Sequence, residues 1–222
     1  MSLDKTNKGA AIDRRSEILS IAARRFAEFG FGSATMREIA KDAEILPGSI
    51  YHHFGTKEEI LHEIIREPIM SLRNGFFYVL HMNIEPERKF STLIHIMMRR
   101  VLEDPLAASI LYNDRRHLIR NPQFKYVKDC KREMYEIWRK VLQQGVEAGQ
   151  FRENMDEFLV VTTLIRMLNS CADWYRYSDE FPVGGEPKRS VEQVEKFNLE
   201  LMLSFLRHPK RLGEPLPEPA QI

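Results

Sequence analysis

Strand patterns are almost missing from these 222 residues, and so are cysteines, of which there are two, long apolar runs, and any sizeable net charge. Each absence excludes something. Cys130 and Cys171 form neither a C-x-x-C nor a zinc-like spacing, so neither a disulfide framework nor a structural metal is indicated. No uninterrupted apolar run approaches the roughly 18 residues that a membrane span requires. Met1 to Ser20 mixes basic and acidic residues without an apolar stretch before a small-residue cleavage site, so no secretory leader is expected and a reducing cytoplasm is the expected compartment. Thirty-three Lys and Arg against thirty-two Asp and Glu leave a charge of +1. A nucleic-acid partner would therefore have to be held by a local patch rather than by the field of the whole molecule. Enzyme signatures are absent too: there is no G-x-G-x-x-G and no P-loop, and His62-Glu63 runs on to Arg66 instead of a second histidine. No catalytic residue, cofactor or bound metal is expected, and no membrane partner.

What the chain does have is helical periodicity from end to end, which predicts an all-α fold of nine helices. Ile18, Ala22, Phe26 and Phe29 mark one face of a first helix over 13–29, and Gly30 ends it. Thr35 with Glu38 three residues later is a capping box for a short helix to about Ala43. After Glu44, Ile45 and Leu46, Pro47 suits the first position of a third helix to about His53. Thr56 then caps a long fourth helix that Pro68 should kink. Pro86, Asp104-Pro105 and Asn121-Pro122 open three more, the last running to Ala148, and two final helices cover about 156–177 and 190–207. A loop with Pro182, Gly184, Gly185 and Pro187 separates them. The proline-bearing tail 208–222 is expected to be disordered.

Two short helices joined by a three-residue turn, 35–43 and 47–53, have the layout of a helix-turn-helix, although tight helix pairs also occur in ordinary bundles. The residues decide between these. Ser33 to Ala40, Gly48 to Phe54 and Thr56 to Leu61 resemble the N-terminal domain of TetR-family transcription regulators, and the nine-helix layout is similar to that family. The resemblance implies a DNA-binding domain at about 1–57, a ligand-binding and dimerisation domain at 58–207, and a homodimer formed through the last two helices. Its partner would be double-stranded DNA carrying a pseudo-palindromic operator. Thr35, Arg37, Pro47, Gly48, Ser49, Tyr51, His52, His53 and Lys57 are the candidate DNA-binding residues. Arg37 is suited to a bidentate contact with a guanine edge, Gly48 to close backbone approach, and Lys57 and Thr35 to phosphates at helix N-termini. Tyr51 with His52 or His53 is implied by the resemblance to clamp phosphate. Two departures stand out: Glu44 occupies a turn position where the family usually has glycine, and Leu46 replaces the usual polar cap.

Residues 1–57 carry only nine Lys and Arg against seven acids, whereas 110–140 carry nine against four. The second stretch is either a solvated face or a seat for a polyanionic headgroup. Met97, Met134, Trp138, Met167, Ser170 and Trp174 are candidates to line a deformable ligand pocket, for which ordinary core packing is the alternative. Arg166, in an apolar helix, faces either a ligand anion or an internal ion pair. Tyr112-Asn113-Asp114, Asn121 to Phe124, Gln144-Gly145 and Trp174-Tyr175-Arg176 resemble the TetR branch that controls acyl-CoA and steroid-ring breakdown. That resemblance implies an acyl-CoA thioester as the small-molecule effector and release of a repressor from DNA as the response. The competing reading is an all-helical redox-sensing or interaction protein, with Cys130 or Cys171 as the sensor.

Overall fold

The computed structural model describes residues 4–177 and 189–221. Among them are nine α-helices: α1 Asp4–Phe29, α2 Met36–Asp42, α3 Lys57–His81, α4 Pro86–Glu103, α5 Pro105–Asn113, α6 Arg115–Arg120, α7 Lys125–Glu147, α8 Glu157–Tyr177 and α9 Val191–Leu206. Short 3-10 turns lie at Ser49–His52, Pro122–Phe124 and Pro209–Arg211. The described residues contain no strand, and a single isolated bridge pairs Phe151 with Arg207. The loop holding Pro182, Gly184, Gly185 and Pro187 lies outside the described residues.

The helices are nine in number, but not the nine that the periodicity predicts. The third expected helix is a 3-10 turn, because Ser49, Ile50, Tyr51 and His52 are all middling helix formers and only Ile50 and Phe54 are pulled into the core. The expected single helix after Pro105 breaks at Asp114 into α5 and α6, and the expected start at Pro122 is a 3-10 turn that feeds α7. Capping follows the sequence closely. Thr35 and Glu38 form the capping box, Thr56 accepts from the Glu59 amide at 3.1 Å, and Ser190 caps α9 in the same way as Thr35 caps α2. Each such cap contributes about 1 kcal/mol.

One continuous core joins both ends of the chain. Ile18, Ala22 and Phe26 of α1 close on Ile39, Ala40, Ile50 and Phe54, while α3 continues to a second cluster around Phe76, Phe90 and Trp138. Phe76 and Phe90 meet Trp138 edge-on at 5.5 and 5.2 Å, a favourable ring geometry. α3 runs through buried Pro68 as one helix, flanked by α7, α4 and α1.

Disorder does not describe the tail at 208–221, which is tied down along α4. Ser91 donates to the Pro217 carbonyl at 2.9 Å, and the Ala220 amide donates to Thr92 Oγ1 at 2.8 Å. At its base the buried carboxylate of Glu87 takes both Arg207, at 2.5 Å, and Arg211, at 2.8 Å. A tail rich in proline has little backbone entropy to lose, so a few such anchors suffice to order it.

Candidate DNA interface and ligand cavity

Four residues of α1 and α3 brace the turn between α2 and the 3-10 segment. Arg14 donates to the Ala43 carbonyl at 2.7 Å and Arg15 to the His53 carbonyl at 2.6 Å. Arg15 also lies 4.0 Å over the Phe54 ring and pairs with Glu63 of α3. Arg25 bridges to Asp42 and Glu38 of α2 at 2.5 and 2.7 Å. The turn itself is a helix C-terminus in which the Ile45 amide bonds Ala40 O and the Glu44 amide bonds Lys41 O, both at 3.0 Å, with Glu44 at φ +52°. This is a Schellman arrangement, which asks for glycine at the left-handed position that Glu44 fills.

Beyond that turn the candidate residues face outward. Arg37, Pro47, Gly48 and His52 are exposed, Tyr51 is 56% exposed, and Ser49 and His53 are half-buried. A β-carbon on Gly48 would meet no atom within 4 Å, and its backbone is ordinary αR, so the chain's own packing makes no demand for glycine there. Thr35 is exposed, but its hydroxyl and amide are engaged with Glu38, which they hold below the usual carboxylate range. Lys57 departs from expectation. Its ammonium donates to the Phe31 and Ala34 carbonyls at 2.7 and 2.8 Å and sits 4.2 Å over the Phe31 ring. In this structure Lys57 holds the α1–α2 corner rather than projecting from it.

A cavity of about 290 Å³ lies between α3, α4, α5, α7 and α8. Ile69, Leu72, Phe76, Met97, Met134 and Trp138 supply its apolar wall. Its remaining lining includes three cations, Arg115, Lys131 and Arg166, and no acidic residue among the described residues. Lys131 donates to the Leu111 carbonyl at 2.5 Å, and burial with Arg115 nearby pushes its ammonium down to about 8. Arg166 is exposed at the cavity, with no carboxylate paired to it among the described residues.

Residues 18–64 match the family model described as bacterial regulatory proteins, tetR family, and residues 83–179 match that of the tetracyclin repressor-like C-terminal domain. The HTH-type transcriptional repressor KstR2 of Rhodococcus jostii is 32% identical over 196 residues, which cover 88% of this chain and 92% of the relative. KstR2 of Mycobacterium tuberculosis is 33% identical over 169 residues, 76% of this chain and 84% of the relative. The solved structure of the ketosteroid transcriptional regulator KstR2 of Mycobacterium tuberculosis superposes with a TM-score of 0.77 at 29% identity, covering 88% of this chain and 95% of that one. The chain belongs to the TetR family. It is a ligand-responsive, DNA-binding transcriptional repressor of the helix-turn-helix type.

Within this TetR fold the ligand candidates split in two. Met97, Met134, Trp138 and Arg166 line the cavity, but Met167, Ser170 and Trp174 line a separate hollow against Phe197 and Leu201 of α9. Helical geometry explains the division. Thr162, Ile165, Arg166 and Asn169 form one stripe of α8, and Met167, Ser170, Cys171 and Trp174 form another, about 100° around the axis per residue. Sequence reasoning missed Tyr112, Arg115, Lys131 and Asn169. The three-residue spacing from Arg166 puts Asn169 on the same helix face, and the basic stretch 110–140 contains Arg115 and Lys131, but nothing in the sequence separates those two from their solvated neighbours. Lys125, Arg132 and Arg139, from the same stretch, are paired with Asp129 or Glu136 along α7. Cys130 and Cys171 are both buried, and burial raises both thiols, which leaves less of the reactive thiolate that a redox sensor uses.

Proposed function

We propose that this repressor is a homodimer whose effector is an apolar molecule with an anionic end, an acyl-CoA thioester being the class that fits, and that the effector lowers its affinity for operator DNA. One observation carries the reading: an apolar cavity holds Arg115, Lys131 and Arg166, with no acidic residue among the described residues that line it. Three cations with no carboxylate paired to them among the described residues, set beside Met97, Met134 and Trp138, suit a ligand whose body is greasy and whose head is negative. Because the cavity is smaller than a whole CoA thioester, the acyl part would fill it while the phosphates stay at the basic rim. Relatives named for ketosteroid regulation make ring-bearing thioesters the first to try.

On this reading residues 1–57 bind DNA in the cytoplasm and 58–207 bind the effector and form the dimer. Arg37, Pro47, Gly48, Ser49, Tyr51, His52 and His53 meet the duplex, with Thr35 at the α2 end beside the phosphates and Lys57 holding the corner behind it. Exposed Phe158, Leu159, Trp174, Phe197, Leu201 and Phe205 on α8 and α9 support pairing across a two-fold axis. Such a dimer would read half-sites roughly 34–36 Å apart.

Fluorescence anisotropy against the DNA upstream of the gene, with and without straight-chain and ring-bearing acyl-CoA thioesters, tests the whole reading. The expected result is saturable binding that one thioester reverses and Tyr51→Ala abolishes. Specific DNA binding that no thioester alters would discard the effector class.

A further inference from the structure

We propose that the corner between α5 and α6 carries the state of the cavity to the DNA-binding half, with Asp114 as the coupling residue and the anionic group of the ligand as the trigger. The inference rests on the reading of the cavity as the effector site. It begins with helix chemistry: the last carbonyls of α5 have no following turn to take them up. Two cations of the cavity wall do so instead. Lys131 donates to the Leu111 carbonyl at 2.5 Å, and Arg115 donates to the Tyr112 carbonyl at 3.3 Å.

Asp114, two residues further on, reaches across to the other half of the molecule. Its carboxylate accepts the Phe31 amide at 3.1 and 3.3 Å through its two oxygens. The His117 ring lies 4.5 Å from the Phe31 ring, and its Nε2 is buried with no hydrogen-bond partner among the described residues. Lys57 closes the remaining side by holding the Phe31 and Ala34 carbonyls. Ala34 immediately precedes Thr35, the cap of α2. Residues 111–114 thus contain both the carbonyls that the cavity's cations hold and the carboxylate that fixes the start of the helix-turn-helix.

A charged acceptor competes for Lys and Arg more strongly than a neutral carbonyl. A ligand carboxylate or phosphate that draws Lys131 and Arg115 away uncaps the last turn of α5, and Asp114 moves with that turn. The Asp114–Phe31 bond is suited to being exchanged. Partial burial holds the carboxyl above its usual range against the opposing pull of the Phe31 amide, so opening the corner returns a half-buried carboxylate to water.

The test uses the full chain, with laurate and lauroyl-CoA as carboxylate and phosphate probes. Calorimetry reads probe binding, and anisotropy reads DNA affinity with and without probe. Wild type is expected to bind at least one probe and to lose DNA affinity by about tenfold when it is present, within the usual range of coupling between sites. Asp114→Ala is expected to bind the probe as wild type does while its DNA affinity no longer responds. Asp114→Asn keeps an acceptor for the Phe31 amide and is expected to retain the response. Lys131→Met uncaps α5 without touching the corner, and is expected to shift DNA affinity with no probe present. Wild-type release in Asp114→Ala, or unaltered DNA affinity in Lys131→Met, would overturn the coupling and leave the effector site standing. Failure of both probes to bind wild type would overturn the effector site and this inference together.

Discussion

The ring of Phe151 occupies the space where Gly145 would carry a side chain: a β-carbon on Gly145 would sit 2.1 Å from Cδ2 of Phe151. Phe151 is fully buried, stacks edge-on against Phe90 at 5.6 Å, and anchors the return from α7 to α8. Gly145→Ala is expected to destabilise the protein by about 1–3 kcal/mol, the usual cost of overpacking a tight core. Thermal unfolding checks this; an unchanged midpoint would mean that the ring has room to move.

At the helix-turn-helix, Glu44 holds φ +52° in a position that asks for glycine. An L-residue there costs roughly 1–2 kcal/mol, of which glycine returns part in unfolded-chain entropy. Glu44→Gly is expected to raise stability by about 0.5–1 kcal/mol and to leave DNA affinity the same or higher. Chemical denaturation measures the first and anisotropy the second.

Gly48 supplies the opposite case. Its β-carbon would meet open space, so Gly48→Ala should be neutral or slightly stabilising for the fold. If the duplex approaches the backbone at that point, the same change weakens DNA binding severalfold. Unfolding and operator binding measured on one variant separate the two effects, and wild-type DNA affinity would remove Gly48 from the interface.

Lys131 makes ligand binding depend on pH. Its ammonium is pushed down to about 8, below its unfolded value. Between those two values the unfolded chain holds more protons, so the stability due to this group rises with pH from about 8 upward. An anion bound beside it favours the charged form. Affinity for an anionic effector is therefore expected to fall as pH rises through 8, and binding at pH 8 to take up about half a proton. Calorimetry in buffers of different ionisation enthalpy reads that uptake; the same heat in every buffer would place the anion away from Lys131.

Short-range chemistry made much of this protein legible without coordinates. Thr35 with Glu38, Thr56, Ser190 and the prolines at 86 and 105 announce helix starts because capping is decided within four residues. The core faces of α1 and α3 follow from a period of 3.6 residues. The ordered motifs from Ser33 to Leu61 point to the family for the same reason, since a helix-turn-helix is a local device.

Contacts between distant segments decided the rest. That Lys57 holds the Phe31 and Ala34 carbonyls, that Arg14, Arg15 and Arg25 are braces rather than solvated charges, and that Asp114 meets Phe31 all depend on residues 17 to 83 positions apart. The tail is ordered by Glu87, Ser91 and Thr92, which lie more than 100 positions before it. In the same way α8 is apolar around much of its surface, and only its neighbours determine which stripe faces the cavity and which faces α9. Sequence alone specified the all-α class, most helix starts and the family, because these are written in local patterns, whereas packing decided that 49–52 is a 3-10 turn and that the helix after Pro105 breaks at Asp114. The cations that serve a ligand and those that serve the fold were separated only by packing, because burial, not residue type, sets whether a charge finds water, a carbonyl or a partner.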